Sequence, residues 1–68
     1  MKINVNGEER ILEAQINLGD LIEEEFDGRE ARGIAVAVNS TIVPKQKWDT
    51  TLINEDDRIE IVHAVQGG

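Results

Sequence analysis

Lys2-Ile3-Asn4-Val5-Asn6 alternates polar and apolar residues, which puts Ile3 and Val5 on one face of a predicted strand. Asn6-Gly7 follows. Both central residues of a type I′ turn need φ > 0, so this pair is a strong hairpin signal. Glu8-Glu9-Arg10-Ile11-Leu12-Glu13 reads as the return strand, and the chain therefore opens with a β-hairpin. From Leu18 the period changes. Leu18, Leu21, Ile22 and Phe26 form a helical stripe, with Glu23, Glu24 and Glu25 mostly on the wet side. Asn17 suits an N-cap, Asp20 a first helical turn, and Asp27-Gly28 a helix end. The spacing predicts one short amphipathic helix.

Gly28-Arg29-Glu30-Ala31-Arg32-Gly33 is polar and bounded by glycines, the composition of a loop. Ile34-Ala35-Val36-Ala37-Val38 then alternates large and small apolar residues, as in a strand covered on at least one face, with the alanines on the shallow side. Asn39-Ser40 makes a turn. Thr41-Ile42-Val43 is a short strand stopped by Pro44, which cannot donate to a ladder and belongs at an edge. Lys45 to Asp49 reads as irregular or a single turn, and Asn54-Glu55-Asp56-Asp57 as turn-rich. The final strand begins at Arg58-Ile59-Glu60-Ile61 and leads without a turn signal through Val62-His63-Ala64-Val65-Gln66 to Gly67-Gly68. Beyond Ile61 the residues of both parities are apolar, so the strand is expected to leave the core there. One helix covers only one face of such a sheet, leaving the other to water or a partner. No linker, repeat or low-complexity segment interrupts this α+β pattern.

At 68 residues the chain is one domain, of a size that buries only ~60% of its unfolded surface. Its 40% hydrophobic content and clear periodicities still argue for a folded unit. Seven basic against 14 acidic residues give a net charge of −7. That balance disfavours nucleic acid and anionic membranes, whose phosphates would be repelled, and suits a basic protein surface. No apolar run approaches the ~20 residues of a membrane span. Met1-Lys2 leads directly into a strand pattern, with no signal peptide, so a cytoplasmic and soluble protein is expected.

Little in the chain can do chemistry. There is no cysteine and no tyrosine, and the one histidine, His63, has no Ser or Asp motif beside it. A surface or interface role for His63 is favoured over catalysis. No spacing resembles a zinc site, and the glycines form no phosphate-binding loop. The Glu23-Glu24-Glu25 run reads as a solvated helix face, because adjacent carboxylates on a helix diverge. Trp48 is expected to pack along a core edge rather than anchor an interface. A free-standing enzyme is the least supported class. What remains is the end of the sequence. Gly67-Gly68 makes a thin arm, since residues without a Cβ allow close passage of the backbone. An α-carboxylate, with an ordinary pKa of about 3.5, is ionised at neutral pH. As a carboxylate it is a poor acyl donor, but attack on the α-phosphate of ATP would make it a reactive acyl-adenylate.

A hairpin, one helix, further strands and a last strand running into Gly67-Gly68 resembles the ubiquitin-like β-grasp proteins. Within them the length, the run Ala35-Val36-Ala37-Val38-Asn39, then Ile42-Val43-Pro44, then Trp48, resembles the ThiS family, sulfur carriers of thiazole synthesis in thiamine biosynthesis. The resemblance covers essentially the whole chain. It implies a β-grasp fold: a mixed sheet of four to five strands, one main helix on one face, and the last strand central beside the first. Residues 1–66 would be the domain and residues 67–68 a flexible tail. It also implies adenylation of the Gly68 carboxylate by a ThiF-type adenylyltransferase and its conversion to a thiocarboxylate. Thiazole synthase (ThiG) would then receive the sulfur. Gly67, Val65, Ala64 and Val62 would contact partners, with no cofactor or metal of the chain's own and a monomer when alone. For Val62 and Val65, ordinary edge packing is the competing reading. The small subunit of molybdopterin synthase, another β-grasp sulfur carrier, or a ubiquitin-like interaction module that is never activated stay open as alternatives.

Overall fold

The computed structural model describes residues 1–26 and 33–63. Strand β1 (Lys2–Val5) and strand β2 (Glu8–Ile11) form the opening hairpin, in a register that sets Ile3 opposite Arg10 and Val5 opposite Glu8. Asn6 and Gly7 have φ of 52° and 86°, the left-handed pair that a type I′ turn needs. The Asn4 side chain closes the turn by accepting the Gly7 N–H at 2.8 Å. Helix α1 (Leu18–Phe26) starts where the sequence predicts: Asn17 Oδ1 accepts the Asp20 N–H at 2.7 Å, satisfying one of the orphan donors of the first turn. Leu18, Leu21 and Ile22 are buried, while Glu23 and Glu24 face water. Arg10 on β2 holds Glu25 of α1 through two parallel hydrogen bonds, fastening the edge strand to the helix.

Strand β3 (Ile34–Val38) turns at Asn39-Ser40 into β4 (Thr41–Ile42), and a 3₁₀ helix spans Lys45–Thr50 after Pro44. Trp48 lies in that 3₁₀ helix and is buried, its indole Nε1–H donating to the Val43 carbonyl at 2.9 Å. Core packing is thus the role Trp48 plays. The last strand, β5 (Arg58–His63), inserts between β1 and β3, giving the order β2-β1-β5-β3-β4. It runs parallel to β1 and antiparallel to β3. This is the five-stranded mixed sheet with one main helix that the β-grasp resemblance implies. Ile3, Val5, Val36, Ile59 and Ile61 from the sheet meet Leu18, Leu21 and Ile22 from α1, with Trp48 and Ile53 closing the side.

A polar knot fixes the start of β5. Asp57 is buried, and its carboxylate accepts from the Asn39 amide at 2.9 Å and from the Asn54 backbone N–H at 2.8 Å. Asn39 in turn accepts the Arg58 N–H at 2.9 Å. The β3–β4 turn, held at φ of 51° and 74° by Asn39 and Ser40, is therefore tied to the strand that passes beside it. Asp57→Ala would strand two donors, and a hydrogen bond to a charged group contributes ~1.5–3 kcal/mol. We expect Asp57→Ala to destabilise the domain by about 3 kcal/mol in urea denaturation, with a smaller loss for Asp57→Asn, which keeps one acceptor oxygen.

Candidate functional site: the open sheet face and the end of β5

Alternation along β5 assigns its residues to two faces. Ile59 and Ile61 point to the helix and are buried, whereas Glu60 and Val62 point the other way and are exposed. Register extends this assignment across the sheet. Val62 lies beside Ala35, Glu60 beside Ala37, and Ile42 on β4 beside Ala37. Arg58 pairs with Asn4 at the far end of the same face. The result is a shallow open depression of about 620 Å³. Its floor is made of two alanines, and its walls carry Val62 and Ile42, which are 60% and 65% exposed. Side chains that stop at Cβ leave room for another surface to approach, and flanking apolar residues reward the removal of water.

Charged residues bound this apolar strip. Arg58 and Glu60 lie along β5, and beyond them the Lys2–Glu9 pair spans β1 and β2 at 3.3 Å. Ile11, opposite Lys2, is a separate exposed apolar residue at the far edge of the face. Among the described residues no group of three His, Cys, Asp or Glu side chains could hold a metal ion, and no helix is long and apolar enough to cross a membrane.

The end of β5 leaves the core after Ile61, as expected, with Val62 and His63 exposed. It stays in the sheet as it does so: Val62 and His63 pair with Ala35 and Ile34. Val62 is exposed because its parity directs it to the uncovered face. His63 returns to the helix side, where its ring meets Phe26 edge-on at a centroid distance of 5.4 Å and an interplanar angle of 84°. Of the residues that the sequence nominates for partner contact, Val62 is on the open face. Ala64, Val65, Gly67 and Gly68 lie outside the described residues. The sequence places the alanines of β3 on a shallow side but misses Ile42, because only strand pairing shows that Ile42, Ala37 and Val62 share a face.

This arrangement defines a class: a small β-grasp unit with one bare sheet face and its last strand in mid-sheet. The model of the ThiS family matches residues 3–68, and the chain belongs to that family. Its fold is similar to that in the crystal structure of the thiamine biosynthesis protein ThiS from Geobacter metallireducens, with a TM-score of 0.84 at 21% identity over all of both chains. It is 36% identical over 45 residues to the sulfur carrier protein ThiS of Escherichia coli, covering 66% of this chain and 67% of that protein. It is also 38% identical over its whole length to a thiazole synthase of Paramagnetospirillum magneticum, of which the match covers 20%. The chain thus spans about a fifth of the thiazole synthases it matches.

Val62 is exposed, so a change there leaves the core intact. We expect Val62→Asp to shift unfolding stability by less than about 1 kcal/mol, the range of a solvent-facing strand substitution, when measured by urea denaturation.

Proposed function

We propose that this chain is a sulfur carrier of thiamine biosynthesis whose Gly68 carboxylate is activated by a partner and converted to a thiocarboxylate. The observation that carries the reading is the ThiS family match, which runs through Gly68 and includes the whole of β5. In the first step a carboxylate oxygen of Gly68 attacks the α-phosphorus of ATP, and pyrophosphate leaves. In the second a sulfur nucleophile such as hydrosulfide adds to the acyl carbon and AMP departs, so that one oxygen of the carboxylate is replaced by sulfur. Both steps take place in the active site of a ThiF-type adenylyltransferase, which provides the catalysis; this chain provides the reacting end. Gly67 and Gly68 let that end pass through a narrow channel, since neither carries a Cβ.

Docking is assigned to the open face, with Val62 and the succeeding Ala64 and Val65 contacting the partner. The net charge of −7 favours a basic partner surface and speeds encounter more than it deepens affinity. Similarity to thiazole synthases over the full chain favours thiazole synthase as the sulfur acceptor over the molybdopterin alternative. The domain proper is taken as residues 1–66 and the tail as residues 67–68.

The test is intact-protein mass spectrometry after incubation with ATP, a ThiF-type adenylyltransferase and a sulfide source. A mass increase equal to one oxygen-to-sulfur exchange, mapped to Gly68, is the expected result. Its absence, with the adenylyltransferase active on its own substrate, would overturn the reading. Deleting Gly68 should abolish the exchange and leave the unfolding midpoint unchanged. Val62→Asp should weaken binding to the adenylyltransferase by about tenfold or more, since a buried contact would become an unpaired charge. Unchanged affinity in a titration would move the docking surface away from this face.

A further inference from the structure

Strand β5 is longer than the neighbour beside it. Register pairs β1 with β5 only at Asn4↔Arg58 and Val5↔Ile59, because β1 ends at Val5 and the chain turns back at Asn6-Gly7. On that side β5 continues past the end of β1, and the first ladder donor beyond it is the Ile61 N–H. That donor is taken up by a side chain. Asn6 Oδ1 accepts the Ile61 N–H at 2.7 Å, across 55 positions of sequence, in a part-buried setting. The backbone of the same residue donates to the Ile59 carbonyl at 2.9 Å. Asn6 therefore does two jobs: its backbone shapes the hairpin turn, and its amide oxygen stands in for the residue that β1 lacks.

We infer that Asn6 is a positioning residue for the end of β5, latching it at Ile61 so that the strand that precedes Gly68 in the sequence is held in place before a partner binds. The inference rests on the reading of Gly68 as the activated residue. Two other contacts brace the same segment without duplicating the latch. β3 pairs with Val62 and His63 on the opposite side of the strand, and Phe26 meets the His63 ring from the helix face. With the latch in place, little of the docking energy is needed to order the strand before the tail. Without it, Ile61 to His63 have ladder pairing on the β3 side only, and the adenylyltransferase must complete their ordering on binding.

Turn and latch can be separated by substitution. Asn6→Gly keeps the left-handed turn, since Gly-Gly also suits type I′, but removes the acceptor. Asn6→Asp keeps an acceptor oxygen and tolerates the same φ. The experiment measures amide hydrogen exchange at Ile61 and steady-state thiocarboxylation for wild type and both variants. For Asn6→Gly we expect faster exchange at Ile61 and a KM for the carrier raised about five- to tenfold with kcat unchanged, the effect of one net hydrogen bond. Asn6→Asp should restore both values toward wild type, which general destabilisation of the hairpin would not explain. An unchanged KM for Asn6→Gly, or an equal rise in KM for both variants, would overturn the latch and leave the sulfur-carrier reading intact. Failure of wild type to acquire sulfur would overturn that reading and the latch with it.

Discussion

The parallel pairing of β1 with β5 joins the beginning and the end of the chain, and the rest of the fold depends on it. Asn4 and Val5 meet Arg58 and Ile59 across more than fifty residues of sequence, so none of this contact is local. Once β5 lies there, β3 closes its other side and Ile59 and Ile61 complete the core beneath α1. Closing such a long loop costs entropy that local contacts cannot offset. The Asp57–Asn39–Asn54 knot lies at the entrance to β5, where it fixes the register of this non-local strand against the β3–β4 turn. Central strands are the last parts of a sheet to open. On the proposed reading, the reactive end is thus attached to the most firmly held element of the molecule.

A second constraint comes from the number of helices. One nine-residue helix covers one face of a five-stranded sheet, and the described residues hold no further long element for the other. The uncovered face is kept soluble by composition: Arg58, Glu60, Lys2 and Glu9 surround a strip of only Ala35, Ala37, Ile42 and Val62. Such a strip is small enough to stay in water and apolar enough to favour association. On the proposed reading, that face is the docking platform and the chemistry falls to the enzyme that receives it.

Much of this was legible in the residues. Asn6-Gly7 predicted the opening hairpin, and Asn17 with the Leu18–Leu21–Ile22–Phe26 stripe predicted the helix, because turn and cap preferences act within a few residues of one another. Pro44 predicted an edge, and β4 is one. Trp48 packs into the core, as its area implied. Less was legible where two distant segments meet. The 3₁₀ helix over Lys45–Thr50 has no strong local signal, and the burial of Asp57 could not be read from a turn-rich acidic run. At the end of β5, departure from the core after Ile61 was legible, but the pairing that carries the strand through His63 with Val62 facing out was not.

By itself, the sequence determined the hairpin, the main helix and the later strands and their order, since these follow from periodicity and from turn and cap chemistry along the chain. It also singled out Gly67-Gly68 for the proposed chemistry. Which residues share the open face was decided only by tertiary structure, because Ala35, Ala37, Ile42 and Val62 are brought together by strand order and register. The same holds for Asn6. Its turn is written in two adjacent residues, but its bond to Ile61 exists only because β5 outruns β1 in the folded sheet.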